Sequence, residues 1–234
     1  MAVAIVTGAS RGLGRALAHA LAGRGWDLVL DARSSEALEE SAEEARARGA
    51  ARVVARAGDV TDAAHRRELV AAARELGGLD LLVNNAAVLG AEPLVPLGEH
   101  PLDGFRAALE VNVVAPLGLL QEALPLLRAA PAGAVIGLSS DAAVTAYRTW
   151  GGYGATKAAL DLLSAVLAVE EPGLRVWWVD PGSMRTEMLA AAEPGEDLSG
   201  TPTPAEIAPV FLRLLDERPA SGRYAAQEWA EAVR

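Results

Sequence analysis

The sequence predicts an α/β fold, a doubly wound parallel sheet of about seven strands with helices on both faces. Three observations carry that expectation. Short apolar runs alternate with longer amphipathic ones along the chain. Each apolar run is continuously rich in Val, Leu and Ile, as in strands buried on both faces. A glycine cluster, Gly8 to Gly14, stands where the first apolar run gives way to the first helical pattern.

Taken in order, strands are expected at Val3–Thr7, Asp27–Asp31, Arg52–Arg56, Leu79–Asn84, Ala134–Leu138 and Arg175–Asp180. Ser221–Ala225 reads as a short last strand, followed by the tail Gln227–Arg234. Helices are expected near Gly12–Arg24, Ser35–Arg48, Asp62–Leu76, Asp103–Arg128 and Tyr153–Glu170. The second places Glu36, Glu39, Glu40, Glu43 and Glu44 ahead of Arg46 and Arg48, a solvated face whose acids suit the helix N-terminus. Two segments break the rhythm, Gly90–Leu102 and Ser183–Pro204. Both follow strands, at the end where open α/β sheets bind ligands. No repeat, low-complexity run or linker divides the chain, so residues 1–234 are expected to form one domain.

Composition narrows the classes. With 51% hydrophobic and 22% charged residues the chain is not of the disordered type. No uninterrupted apolar run reaches the ~18 residues of a membrane span. The most apolar stretch, Val111–Leu127, is broken by Pro116, Gln121, Glu122 and Pro125. The start, MAVAIVTG, lacks the basic n-region of a secretory signal, so a cytoplasmic location is expected. The absence of cysteine excludes disulfides, zinc–thiolate sites and a Cys nucleophile. A net charge of −10 argues against nucleic acid or anionic membrane as the main partner. His19, His65 and His100 match no ligand spacing and read as surface or helix residues; no metal site is expected. Lys157 is the only lysine among 21 basic residues, and asparagine occurs only at positions 84, 85 and 112. Survivors in so depleted a composition point to places where Arg or Asp cannot substitute.

The glycine cluster reads Thr7-Gly8-Ala9-Ser10-Arg11-Gly12-Leu13-Gly14. Glycines at a strand-to-helix turn let the backbone approach a pyrophosphate seated on the helix N-terminus. No Gly-Lys-Ser/Thr follows, so it is not a P-loop. Further motifs come in order: Asp59-Val60, Asn84-Asn85-Ala86-Ala87, Asn112, Ser139-Ser140, Tyr153-Gly-Ala-Thr-Lys157, and Pro181-Gly182-Ser183-Met184-Arg185-Thr186. Together they resemble the short-chain dehydrogenase/reductase family in its compact single-domain branch, over nearly the whole chain. The resemblance implies a Rossmann-type fold and a nicotinamide-dependent oxidoreductase. It makes Gly8, Ser10, Arg11, Gly12, Leu13 and Gly14 cofactor-binding residues, and puts Asp59 and Val60 at the adenine. Asn85, Ala86 and Ala87 join the cofactor site, as do Pro181, Gly182, Met184 and Thr186 on the nicotinamide side. It gives Lys157 a hydrogen bond to the nicotinamide ribose, and it gives Asn112 a water that relays protons from Lys157 to solvent.

The chemistry is legible in the spacing. Four residues apart, Tyr153 and Lys157 share one helix face, one turn apart. A tyrosine titrates near ~10, and a neighbouring ammonium lowers that by roughly one to three units. Tyr153 is therefore expected to give the proton in carbonyl reduction and take it in alcohol oxidation. A compact ammonium suits this place better than a planar guanidinium. Ser140 stands 13 residues before Tyr153, the separation the family uses, and is preferred over Ser139 as the hydroxyl on the substrate oxygen.

Cofactor choice turns on the end of the second strand, Leu30-Asp31-Ala32-Arg33. Aligned with the family pattern from Gly25, the position of the ribose-gripping acid is Ala32, and Arg33 follows. Arg11 is expected to face the same region, and two guanidinium groups suit the 2′-phosphate of NADP(H). A one-residue change of register would put Asp31 on the ribose and favour NAD(H).

For the substrate, Leu89, Glu92, Asp141, Tyr147, Trp150, Met184 and Met188, with Leu189, come from loops around the site. Trp150 and the methionines suggest a small apolar or aromatic ketone or alcohol. Ala87 replaces a family glycine and is expected to narrow the groove, and Trp177-Trp178 are expected to pack in the core or at an interface, with shaping of the pocket as the other reading. Two helices apolar on more than one face predict a homodimer or homotetramer. The competing reading is a dinucleotide sensor without catalysis, which would be expected to lose Tyr153, Lys157 or Ser140; all three are present.

Overall fold

Seven parallel strands form one sheet in the order β3-β2-β1-β4-β5-β6-β7. In chain order the elements are β1 (Val3–Val6), α1 (Gly12–Ala22), β2 (Asp27–Ala32), α2 (Ser35–Ala47), β3 (Val53–Ala57), α3 (Ala63–Glu75) and β4 (Leu81–Asn84). Then follow α4 (Leu102–Leu109), α5 (Ala115–Ala129), β5 (Ala134–Leu138), α6 (Gly151–Glu170) and β6 (Arg175–Asp180). The chain continues through α7 (Glu187–Ala192), α8 (Pro204–Glu217), β7 (Gly222–Ala225) and α9 (Ala226–Glu231). This computed structural model describes residues 1–231, so the last three residues of the expected tail lie outside the described residues.

Strand alternation makes two cores. Ala4, Val6, Leu28 and Leu30 face α1 and α8, whereas Val3, Ile5 and Val29 face α3 and α5. Both cores are apolar, which is why the strands read as unbroken apolar runs. Sheet growth reverses between β1 and β4, and that reversal opens a crevice beyond their carboxyl ends.

The helix expected at Asp103–Arg128 is divided. A π-helical turn at Glu110–Val114 separates α4 from α5 within one continuous helical run, and Pro116, which has no N–H to give that run, follows two residues after the turn. Helices α7 and α8 were not expected. The start of α8 nevertheless carries a capping box, Thr203 with Glu206, and Pro204 in its first turn. Apolarity counted by uninterrupted runs also falls short: Leu102–Ala129 and Gly151–Glu170 are long and apolar enough to cross a membrane by length and composition. In the fold both carry core residues, among them Leu119, Leu127, Leu160 and Leu167. Trp177 is fully buried and donates its indole N–H to the Pro219 carbonyl at 3.2 Å, while Trp178 packs on the opposite core.

Candidate active site

The loops after β1, β4, β5 and β6 meet at the crevice. In the first, Gly8 and Gly12 have φ of +65° and +56°, a region open chiefly to glycine. A Cβ on Gly14 would lie 2.3 Å from the Gly8 carbonyl oxygen and 2.5 Å from Asn85 Nδ2, so no side chain fits. Helix α1 starts here without a side-chain cap, and its first turn has no acid. Its free amides and positive dipole end fit a diphosphate.

This loop is tied to the one after β4. Thr7 Oγ1 accepts from Asn85 N and Ala86 N, each at 3.0 Å, and donates to Val83 O at 3.2 Å. Asn85 Nδ2 donates to Thr7 O at 2.8 Å and Gly8 O at 3.3 Å. Thr7, expected as a strand residue, has instead left β1 to make this junction. Ala86 and Ala87 follow, half-buried. Across the crevice, Gly182 takes φ +71°, and Thr186 caps α7 by accepting from Leu189 N at 3.2 Å. Met184, in that loop, is half-buried and packs against the core that α1 and α8 cover.

At the adenosine end, the Arg11 guanidinium pairs with Glu187, because the first turn of α7 presents an acid to the glycine loop. His65, expected as a surface or helix residue, lies on α3 and is buried there, with Nε2 2.6 Å from Asp31 Oδ1. Its helical spacing to Leu69 and Ala72 held that signal. Asp31 is 2% exposed and its carboxyl is pushed up by burial, while its hydrogen bond pushes the His65 imidazole up. Ala32 ends β2, and the exposed Arg33 follows with no ion pair among the described residues. Asp59 accepts from Thr61 N and Oγ1 at 2.8 and 2.7 Å, which holds its carboxyl below the usual range, and Val60 is buried beside it.

Tyr153 and Lys157 stand on α6, both buried, with Nζ 5.4 Å from the phenol ring centroid. Nζ donates to Leu138 O at 2.7 Å. The expected lowering of the phenol by the ammonium is absent from this geometry. Burial pushes Tyr153 up, and the charges of Asp180 and Asp141 push the same way. Burial pushes Lys157 down to about 8, against the charge of Asp161. Ser140 caps the short turn Asp141–Ala143, accepting from Ala142 N at 3.2 Å and donating to Asp141 Oδ1 at 3.0 Å. Ser139 is buried, donating to Asp161 Oδ2 at 2.8 Å. Asn112 sits in the π-helical turn and donates through Nδ2 to Val88 O and Thr156 Oγ1, each at 2.9 Å.

Of the residues expected to line a substrate pocket, Leu89, Trp150 and Met188 gather on Tyr153, with Leu94 and Ala192. The Trp150 and Tyr153 rings meet edge to face, 5.7 Å apart. Glu92 and Tyr147 are exposed, and Asp141 is exposed and bonded to Ser140. A cavity of about 90 Å³ beside them is lined by Asp141, Asp180, Gly182, Ser183, Ala225 and Gln227. Leu94, Asp180, Ala192 and Gln227 were not foreseen. Gly182 makes room for Gln227: a Cβ there would lie 2.7 Å from its Nε2.

Residues 2–197 match the family model described as short chain dehydrogenase. The chain belongs to the short-chain dehydrogenase family. This short-chain dehydrogenase is 38% identical to mouse sepiapterin reductase over 202 residues, 82% of this chain and 77% of that protein. It is 36% identical over 210 residues to the glycine betaine reductase of Emericella nidulans, which covers 88% of this chain and only 16% of that much longer protein. A short chain dehydrogenase of Shigella flexneri, solved in complex with NADP, superposes with a TM-score of 0.90 at 31% identity, covering 97% of each chain. The fold and an NAD(P)-dependent oxidoreductase activity follow from these matches.

Proposed function

We propose that this short-chain dehydrogenase is an NADP-dependent carbonyl reductase, running as an alcohol dehydrogenase in reverse, on small apolar or aromatic ketones. One observation carries the reaction: a buried phenol, one helical turn from the only lysine, set in an apolar wall of Leu89, Leu94, Trp150 and Met188. For the cofactor, the support is Ala32 and the free guanidinium of Arg33 at the end of β2, with Asp31 held by His65. The NADP complex of the Shigella flexneri relative supports the same choice.

When bound, the nicotinamide cofactor supplies the hydride. The glycine loop, Asn85 to Ala87 and the loop from Pro181 to Thr186 would hold it, with Arg33 on the 2′-phosphate. Tyr153 Oη passes its proton to the substrate oxygen. Burial holds that proton on the phenol at neutral pH, so giving it up depends on stabilising the phenolate that is left. Lys157, near half-charged at about pH 8, stabilises the phenolate left behind. Ser140 Oγ supports the substrate oxygen as charge develops there. Asn112 holds the backbone of the β4 loop against α6 and, in this proposal, the relay water.

The test is oxidation of NADPH, followed by absorbance, against aldehydes, ketones and α-diketones. Tyr153→Phe should abolish turnover while NADPH still binds. Turnover that survives in that variant would overturn the assignment. Val114, Leu117, Leu162 and Val166 expose apolar surface on the π-helical turn and α5–α6, and we propose that a second copy covers it. A monomer by sedimentation would refute that.

A further inference from the structure

Strand β7 delivers one side chain to the back of the site. Arg223 stands opposite Trp178 of β6. Its Nη2 donates to Ser140 O at 2.9 Å, its Nε to Asp161 Oδ2 at 3.2 Å, and Nη2 also reaches Asp180 Oδ2 at 3.4 Å. Asp161 follows Lys157 by one turn of α6, and its Oδ1 is buried without a partner. Asp180 ends β6, where its Oδ1 accepts from Gly182 N at 2.9 Å. One guanidinium thus joins the helix of Lys157, the strand leading to the cofactor loop and the backbone of Ser140.

We propose that Arg223 is a positioning residue: it fixes the Ser140 backbone and neutralises Asp161 and Asp180, so that neither carboxylate acts unopposed on Lys157 and Tyr153. This rests on the reading of Tyr153 and Lys157 as the proton-moving pair. Two nearly buried carboxylates without a cation would be costly. Asp161 pushes Lys157 up and Asp180 pushes Tyr153 up, so their neutralisation bears on both partners. The charged and titratable groups around the pair are Asp161 on the same helix, Asp141 in the turn after Ser140, Asp180 from β6 and Arg223 from β7. Arg223 is the cation that bonds both Asp161 and Asp180. A planar fork reaches three acceptors on three elements; a lysine ammonium at the same place could not span them.

The single lysine makes the test direct. Protein carrying isotope-labelled lysine gives one side-chain NMR signal, and its pH titration reads Lys157 without any turnover. The wild-type midpoint is expected at about 8. Arg223→Gln should raise it by about one pH unit, with NADPH binding unchanged. Asp161→Asn combined with Arg223→Gln should bring it back down. A midpoint that stays still or falls in Arg223→Gln overturns the proposal. Should that variant not fold, the double variant decides: with both charges of the Arg223–Asp161 pair removed, the Lys157 midpoint should stay within a few tenths of a unit of wild type, and a full-unit change would refute neutralisation. The readout is independent of the reaction, so turnover surviving in Tyr153→Phe would sink the functional reading whatever Lys157 does.

Discussion

Asn112 and Val88 hold each other through both backbone groups: Oδ1 accepts from Val88 N and Nδ2 donates to Val88 O, each at 2.9 Å. The π-helical turn is what aims this side chain. An extra residue in the turn points Asn112 back at the loop after β4, while Nδ2 also meets Thr156 on α6. The loop flanking the crevice and the helix bearing Tyr153 are therefore joined through one amide.

Asn112→Ala should break that joint. It leaves the Val88 N–H and C=O without their side-chain partner near the site, at a cost of about 2–4 kcal/mol. Urea denaturation should show the loss. Turnover should fall as well, because Leu89 follows directly on Val88.

Arg33→Ala should weaken NADPH by about 1.5–3 kcal/mol, the worth of a charge-assisted contact, and leave NADH nearly unchanged. Fluorescence titration of both cofactors checks this. Equal losses would place the 2′-phosphate elsewhere.

Lys157→Met should inactivate the enzyme and yet stabilise it. The folded state holds Lys157 near 8, below its ordinary 10.5, so the charged form is disfavoured by folding. The penalty is fully present below pH 8 and is relieved as pH rises from about 8 to the unfolded value. Less the lost hydrogen bond to Leu138 O, the gain at pH 7 is about 2 kcal/mol. Melting at pH 7 should rise in the variant, and the difference from wild type should shrink towards pH 10.

The inner strands of the parallel sheet were legible because apolar cores cover both their faces: Ala134–Leu138 and Arg175–Asp180 carry no alternation to blur their ends. Tyr153, Lys157 and Asn112 were legible through spacing and through a composition that spares so few lysines and asparagines. What escaped depends on partners distant in the chain. Asp31 and His65 are 34 residues apart, and Arg11 and Glu187 are 176 apart. No local pattern says which carboxylate a guanidinium will choose. The raised phenol of Tyr153 escaped for a similar reason, since burial and two distant acids outweigh the one ammonium that spacing reveals.

The knot of Thr7 with Asn85 has a consequence for how tightly a nucleotide can be held. Freezing a loop costs about 1–2 kcal/mol of backbone entropy for each residue ordered. Here the turn after β1 is already locked by hydrogen bonds to its neighbour, and Gly14 is pressed against both. An arriving dinucleotide meets a seat whose ordering was completed when the sheet folded. Its contacts with that loop can appear almost whole as affinity.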